Sequence, residues 1–262
     1  MIWFFDSWFG GLQTMKYFNK LYPNYDYIFL ADTKNCPYWE KTWEEIKQLT
    51  FKAINRLFNQ WAEIVIVACN TAAAYSIRSR QAQYPNKKTL SITIPGIEQI
   101  LKKEDIYCNV WIIATQATIS SDIYNDLFHR FGGKNNPEFK FITAQPLVDL
   151  VEQWFDNEKQ NYELVKKYTE KFWSNTKYLV LWCTHFPILI KYFQKFFKWI
   201  IIDPSLEAAK KFWSYLLRHP EIENKITKNK EIKFFTTWNS QNFDNIWSRI
   251  WWNKIYSKKI NI

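Results

Sequence analysis

Glycine is scarce in this sequence: 5 residues in 262, about 2% against an ordinary share of about 7%. Long apolar runs are missing as well, and none approaches the roughly 20 residues needed to cross a bilayer. The four cysteines, at positions 36, 69, 108 and 183, show no Cys-x-x-Cys spacing. That argues against a zinc site and against a disulfide framework, and no metal ligands are expected. The opening Met1-Ile2-Trp3-Phe4-Phe5-Asp6 has no basic region ahead of its apolar stretch and soon meets an acid, so no secretory leader is expected. Together these absences lead to the expectation of a soluble cytoplasmic protein with reduced thiols and no membrane partner.

Tryptophan is the residue in excess, with 15 copies. Tryptophan and glycine together fill about 8% of the chain, close to the ordinary glycine share of about 7%. Several tryptophans stand where a chain needs glycine, as in Asp6-Ser7-Trp8 at a strand-to-helix turn and Thr237-Trp238-Asn239 before the last helix. A formal charge of +10 raises the question of nucleic acid. The lysines are scattered, however, and the densest segment, from Asn224 to Lys233, also carries Glu231. A solvated basic surface is the expectation, and nucleic acid is disfavoured as a partner.

Strand and helix patterns alternate throughout, which predicts an α/β fold with mostly parallel sheets. Strands are expected at 2–5, 27–31, 64–68, 90–93, 110–114, 139–143, 178–182, 200–202 and 231–236. Helices are expected at 10–21, from Thr42 to about Gln60, after Asn70, from Thr115 to near Gly132-Gly133, and from about Pro146. Further helices are expected at 158–173, 206–217 and 240–251, and Pro95-Gly96 reads as a crossing between domains. At 262 residues the chain is near the size where one core splits into two. The division expected is 1–95 with 208–262 as one domain and 96–207 as the other.

The stretch Ile64-Val65-Ile66-Val67-Ala68-Cys69-Asn70-Thr71 is a buried strand running into a helix. It leaves Cys69 at the carboxyl end of a parallel strand, where open sheets place ligands. Asn70 and Thr71 fall at the helix entrance, which caps with side-chain oxygens and favours anions. Tyr178-Leu179-Val180-Leu181-Trp182-Cys183-Thr184-His185-Phe186-Pro187 repeats that plan 114 residues later. Two strand-end thiols at matching places suggest a pseudo-symmetric pair facing one cleft. Taken singly, Cys69 reads as a small core residue, Asp6 as a helix cap and His185 as a hydrogen-bonded core histidine. Pro37 and Tyr38 alone mark a turn, Thr115 and Thr118 alone a helix start, and Cys36 and Cys108 read as structural.

In combination, Asp6-Ser7, Pro37-Tyr38, Ala68-Cys69-Asn70-Thr71, Thr115-Gln116-Ala117-Thr118 and Cys183-Thr184-His185-Phe186-Pro187 resemble the glutamate racemase family in order and spacing. The resemblance implies two α/β domains with the site between them, commonly in a homodimer. It implies a cofactor-independent isomerase that interconverts L- and D-glutamate and supplies D-glutamate for peptidoglycan, hence for cell wall and cell shape. By motif position Cys69 and Cys183 are the two acid/base residues, with Asp6 near the first and His185 near the second. Glu152 resembles a further carboxylate of the family. Ser7, Tyr38, Asn70, Thr71, Thr115, Thr118 and Thr184 would bind substrate, with Asp6, Pro37, His185 and the backbone of Trp39. Two thiols suit racemisation because each can act as thiolate or thiol according to direction.

Where the family pattern has glycine, this chain has Trp3, Trp8, Trp39, Trp111, Trp182 and Trp238, and also Trp61 and Trp154. A chain carrying these side chains is expected to keep the fold but to show crowded or strained indoles at Trp8, Trp39 and Trp182, and to be inactive. The rival readings are an aspartate or broad-specificity racemase of the same superfamily, and a catalytically dead homologue acting as a binding protein.

Overall fold

Short runs of β-branched and aromatic residues, each closed by a small or polar one, become parallel strands in the computed structural model. It describes residues 1–101, 109–131, 138–154, 157–172, 176–251 and 254–262. The chain divides into two units, Met1–Ile92 with Ala209–Ile262, and Thr93–Ala208. The first opens with β1 (Ile2–Asp6), α1 (Gly11–Leu21), β2 (Tyr27–Ala31) and α2 (Trp43–Asn59). It continues with β3 (Ile64–Val67), α3 (Asn70–Gln83) and β4 (Lys88–Ser91). The second unit holds α4 (Thr93–Leu101), β5 (Asn109–Ala114), α5 (Gln116–Ser120), α6 (Ile123–Phe131) and β6 (Phe139–Thr143). After these come α7 (Gln145–Trp154), α8 (Glu158–Thr169), β7 (Thr176–Trp182), α9 (Ile190–Phe196) and β8 (Ile200–Ile202). Helix α10 (Pro204–Arg218) begins in the second unit and ends in the first, which α11 (Pro220–Glu223), β9 (Ile232–Thr236), α12 (Ser240–Trp251) and β10 (Ser257–Lys259) complete.

One sheet has the order β10-β9-β2-β1-β3-β4 and the other β6-β5-β7-β8, and the described pairings are parallel. The second sheet repeats the order of β2-β1-β3-β4. In each set the chain leaves one strand on one side, then crosses to its other side, and the crossing strand runs into a cysteine. Such a reversal opens a crevice at the carboxyl ends of the strands. Cys69 follows β3 by two residues and Cys183 follows β7 directly.

Strands β1, β2 and β3 are buried along their whole length because helices cover both faces. Trp3, Phe5, Leu30, Val65 and Val67 pack on one face against Ile46, Ile54 and Leu57 of α2 and Ala73 and Ile77 of α3. On the other face Phe4 meets Phe18 edge-on at 5.0 Å, and Phe29 stacks on Phe243 at 6.3 Å. Each such side chain contributes about 1.5–3 kcal/mol on burial.

Helix α2 starts at a capping box. The Thr42 hydroxyl accepts from the Glu45 N–H at 3.3 Å, and Glu45 Oε2 accepts from the Thr42 N–H at 2.9 Å. Thr42→Ala removes the first of these bonds and is expected to cost about 1 kcal/mol of stability, read as a lower urea midpoint at unchanged slope.

Several boundaries differ from expectation. The strand expected at 90–93 is Lys88–Ser91, and Thr93 already opens α4. Pro95-Gly96 lies inside that helix's first turn, where proline is tolerated because its missing N–H has no partner to lose. The helix expected from Thr115 is two helices, broken where Asp122 takes a φ of 54°, and its expected end at Gly132-Gly133 lies outside the described residues. The helix expected at 158–173 ends at Thr169, and its last expected residue lies outside them too, as does Cys108. A one-turn 3-10 helix, Phe186–Leu189, precedes α9. Among the described residues no helix is long and apolar enough to cross a membrane.

Candidate active site

The carboxyl end of the first sheet gathers polar residues that the strands themselves present. Asp6 ends β1 and is buried, with the Trp8 backbone N–H donating to its Oδ1 at 3.0 Å. The Ser7 hydroxyl lies 3.4 Å from the same oxygen and 3.3 Å from Cys69 Sγ. Cys69 is the N-cap of α3, and its sulfur accepts from the Ala72 N–H at 3.4 Å. Burial and then the neighbouring Asp6 carboxylate push the Cys69 thiol up to about 12, while the Ser7 hydroxyl and the Ala72 and Ser7 N–H groups pull the other way. The thiol is therefore protonated at neutral pH.

Asn70 and Thr71, the first residues of α3, are both buried. Neither polar atom of the Asn70 amide has a hydrogen-bond partner among the described residues. Leaving a buried amide so costs about 1–3 kcal/mol per group. An unsatisfied amide beside an acid/base candidate is what a polar ligand would repair.

Behind Cys69 stands a cluster that the sequence pattern did not single out. Asp32, fully buried after β2, accepts from Tyr38 Oη at 2.7 Å, Thr237 Oγ1 at 2.8 Å and Asn35 Nδ2 at 3.0 Å. Burial first, and the Asp32 charge next, raise the Tyr38 phenol well above its ordinary value. Its one proton is thus committed to Asp32, leaving lone pairs and the Tyr38 backbone for a ligand. Pro37 and Trp39, on either side, are both half-buried, and Tyr38–Glu40 forms a 3-10 turn. Tyr38→Phe leaves the Asp32 carboxylate one donor short and is expected to cost about 1–3 kcal/mol of stability, measurable by denaturant titration. Asp32 escaped notice because its partners lie up to 205 residues away.

In the second unit the Cys183 sulfur lies 3.5 Å from His185 Nδ1, and His185 Nε2 lies 3.3 Å from Glu152 Oε1 on α7. Burial alone would lower the His185 pKa, but the Cys183 sulfur and the Glu152 carboxylate outweigh it and raise it to about 10. His185 is thus an imidazolium at neutral pH. Thr184 is buried between the two residues. At the end of β5, Thr115 caps α5 by accepting from the Thr118 N–H at 3.3 Å, and the two hydroxyls are 2.8 Å apart. Ala114 and Trp182 are register partners, which brings Thr115 and Cys183 to adjacent strand ends. Tyr124, on α6, is a buried neighbour whose phenol is raised by burial and then by Cys183. Nothing in the local pattern marked it.

The indoles at the expected positions differ among themselves. Trp182 is fully buried with its ring centroid 4.0 Å from that of Tyr124, closer than the 4.5–7 Å that aromatic pairs prefer. The indole Nε1–H groups of Trp8 and Trp182 are sealed from solvent without a hydrogen-bond partner among the described residues. Trp39 sits half-buried in its turn.

Comparison with known proteins bears on this arrangement. No protein-family model matches the chain. It is 32% identical over 249 residues to glutamate racemase 1 of Caldanaerobacter subterraneus subsp. tengcongensis, covering 91% of this chain and 87% of that protein. The chain belongs to the glutamate racemase family, and so to the isomerases. Its structure matches that of glutamate racemase from Francisella tularensis in complex with D-glutamate, with a TM-score of 0.87 and 27% identity over 99% of this chain and 97% of that one. The aspartate racemase of Picrophilus torridus is more distant, with a TM-score of 0.56 and 20% identity over 82% of this chain and 94% of that one.

Proposed function

We propose that this glutamate racemase family member interconverts L- and D-glutamate with Cys69 and Cys183 as its two acid/base residues. One thiolate removes the Cα proton from one face, and the other thiol returns a proton to the opposite face. The reverse direction exchanges the roles, so no net proton or electron is consumed. The observation that carries the reading is the repeat: in each unit the crossing strand ends at a buried thiol with its own ionisable neighbour.

Asp6 and Ser7 tune Cys69, and His185, whose pKa is raised by the Cys183 sulfur and by Glu152, serves as a proton reservoir for Cys183. Asn70, Thr71, Thr115, Thr118 and Thr184, with Ser7 and the backbone around Pro37, Tyr38 and Trp39, bind the ammonium and carboxylates. They also stabilise the charge that develops at Cα, which no electron-sink cofactor shares in this reading. Supply of D-glutamate to peptidoglycan in the cytoplasm and pairing of two copies extend the proposal on the strength of the family resemblance.

The test is racemisation of L-glutamate by the folded chain, assayed as written and with Trp8→Gly and Trp182→Gly together. D-glutamate formed by either supports the proposal, and folded protein of both kinds that forms none refutes it. Aspartate turned over faster than glutamate would replace the substrate. The elevated Cys69 pKa adds a pH signature. The thiolate fraction rises about tenfold per pH unit below about 12. The direction that begins with proton removal by Cys69 should therefore accelerate from pH 7 to 9, and a flat profile would assign the first proton to another base.

A further inference from the structure

Helix α2 ends in a turn that calls for glycine and carries tryptophan. The Trp61 N–H donates to the Phe58 carbonyl at 3.2 Å and the Ala62 N–H to the Leu57 carbonyl at 3.3 Å. That pair of bonds defines a Schellman motif, whose closing residue takes a left-handed backbone. Trp61 has a φ of 65°. An L side chain in that conformation sets Cβ against its own carbonyl, and glycine alone escapes the clash. Packing does not compensate, because Trp61 is 89% exposed. The other two left-handed non-glycine residues among the described residues are easier to accommodate. Aspartate, as at 122, tolerates the conformation, and Lys230 is held by Asp26 Oδ1, which accepts the N–H groups of Asn229 and Glu231 on either side.

Two further tryptophans stand beside the thiols with defects that loss of the side chain would remove. Trp182, directly before Cys183, has the close approach to Tyr124 and the sealed, unpartnered N–H described above. Trp8 follows Ser7, the hydroxyl neighbour of Cys69, and its indole N–H likewise has no partner among the described residues. The chain as a whole holds 15 tryptophans and 5 glycines, the reverse of their usual standing. We propose that Trp8, Trp61 and Trp182 are glycines in the protein as its own cell makes it, the codon at each being UGA read there as glycine. UGA differs from a glycine codon only in its first base, so one changed anticodon position in a glycine tRNA suffices. A translation that reads UGA as tryptophan yields the chain as written.

Four measurements test this. The gene should carry UGA at all three codons, and peptide mass spectrometry of the protein from its native cells should find glycine there; UGG, or tryptophan in the native peptides, overturns the proposal. In the full chain, Trp61→Gly should raise the folded-to-unfolded ratio about fivefold or more over Trp61→Ala, since alanine keeps the offending Cβ. Equal stability of the two variants overturns the argument from the turn. Glycine at 8 and 182 together should speed glutamate racemisation roughly tenfold or more over the chain as written. Equal and rapid turnover by both overturns the proposal and leaves the racemase reading standing. If neither turns over, the racemase reading fails, and the codons and native peptides still decide this one.

Discussion

Serine in place of either Cys69 or Cys183 is expected to lower racemisation of glutamate by about 10³-fold or more in both directions. The active form of the chain, as written or with glycine at 8 and 182, is the background for the experiment. A hydroxyl is nearly the same size as a thiol but far weaker as an acid, so each substitution removes one proton carrier with little change in packing. The diagnostic lies in what survives. With Cys183→Ser, Cys69 can still exchange the α-proton of one enantiomer with solvent deuterium, and Cys69→Ser should spare exchange of the other. Proton NMR in deuterated buffer reads both. A double substitution that racemises at the parent rate would end the two-thiol mechanism, and exchange of both enantiomers by one single mutant would end the division of faces between the thiols. The surviving enantiomer also identifies which direction begins at Cys69, and hence which should show the pH dependence.

Gly11→Ala should damage both stability and turnover, for a reason confined to the neighbourhood of Asp6. Gly11 opens α1, and a Cβ built on it falls 2.6 Å from Asp6 Oδ2 and 2.7 Å from Asp6 Cβ. The second contact is close to the main chain of β1, so a side-chain rotation does not relieve it. Overpacking of this kind costs about 1–3 kcal/mol. It also moves the carboxylate that accepts the Trp8 N–H and neighbours Ser7. A lower urea midpoint with a fall in kcat is the expected pair of results. Unchanged stability and turnover would mean that Asp6 has room to move and that its position matters little.

Elements whose signal is local were legible in the sequence. Tyr27–Ala31 and Ile200–Ile202 take the expected bounds because each is a short apolar or aromatic run stopped by an aspartate, and Phe139–Thr143 does so as a β-prone alternation of Phe139 and Phe141 with Lys140. Thr42 announced the start of α2, and Ser240–Trp251 takes the bounds expected for the last helix. The cysteine ends of β3 and β7 were legible for the same reason, being apolar runs cut off by a thiol and a helix start. What escaped depends on distance or on backbone angle. Asp32 looked like a loop residue because Thr237 meets it only after the chain returns. The break at Asp122 and the turn at Trp61 are left-handed positions occupied by residues that do not advertise them. Trp61 stands out in the sequence only through the family pattern, because a backbone angle leaves no mark on residue type. Strand β10 was missed because Ser257-Lys258-Lys259 is polar and pairs only at the edge, against β9.

The return of the chain to the first sheet also orders events during synthesis. Residues 93–208 form one uninterrupted unit, and its four strands can pair as soon as they leave the ribosome. The first sheet must wait. Strand β2 has β1 on one side from the start, but its other partner, β9, begins at Ile232. Until that segment emerges, β2 is an open, wholly apolar edge, Tyr27 to Ala31, of the kind that recruits other chains. A nascent chain arrested between 208 and 232 should therefore be the most aggregation-prone species this protein passes through, and the one for which a chaperone competes hardest.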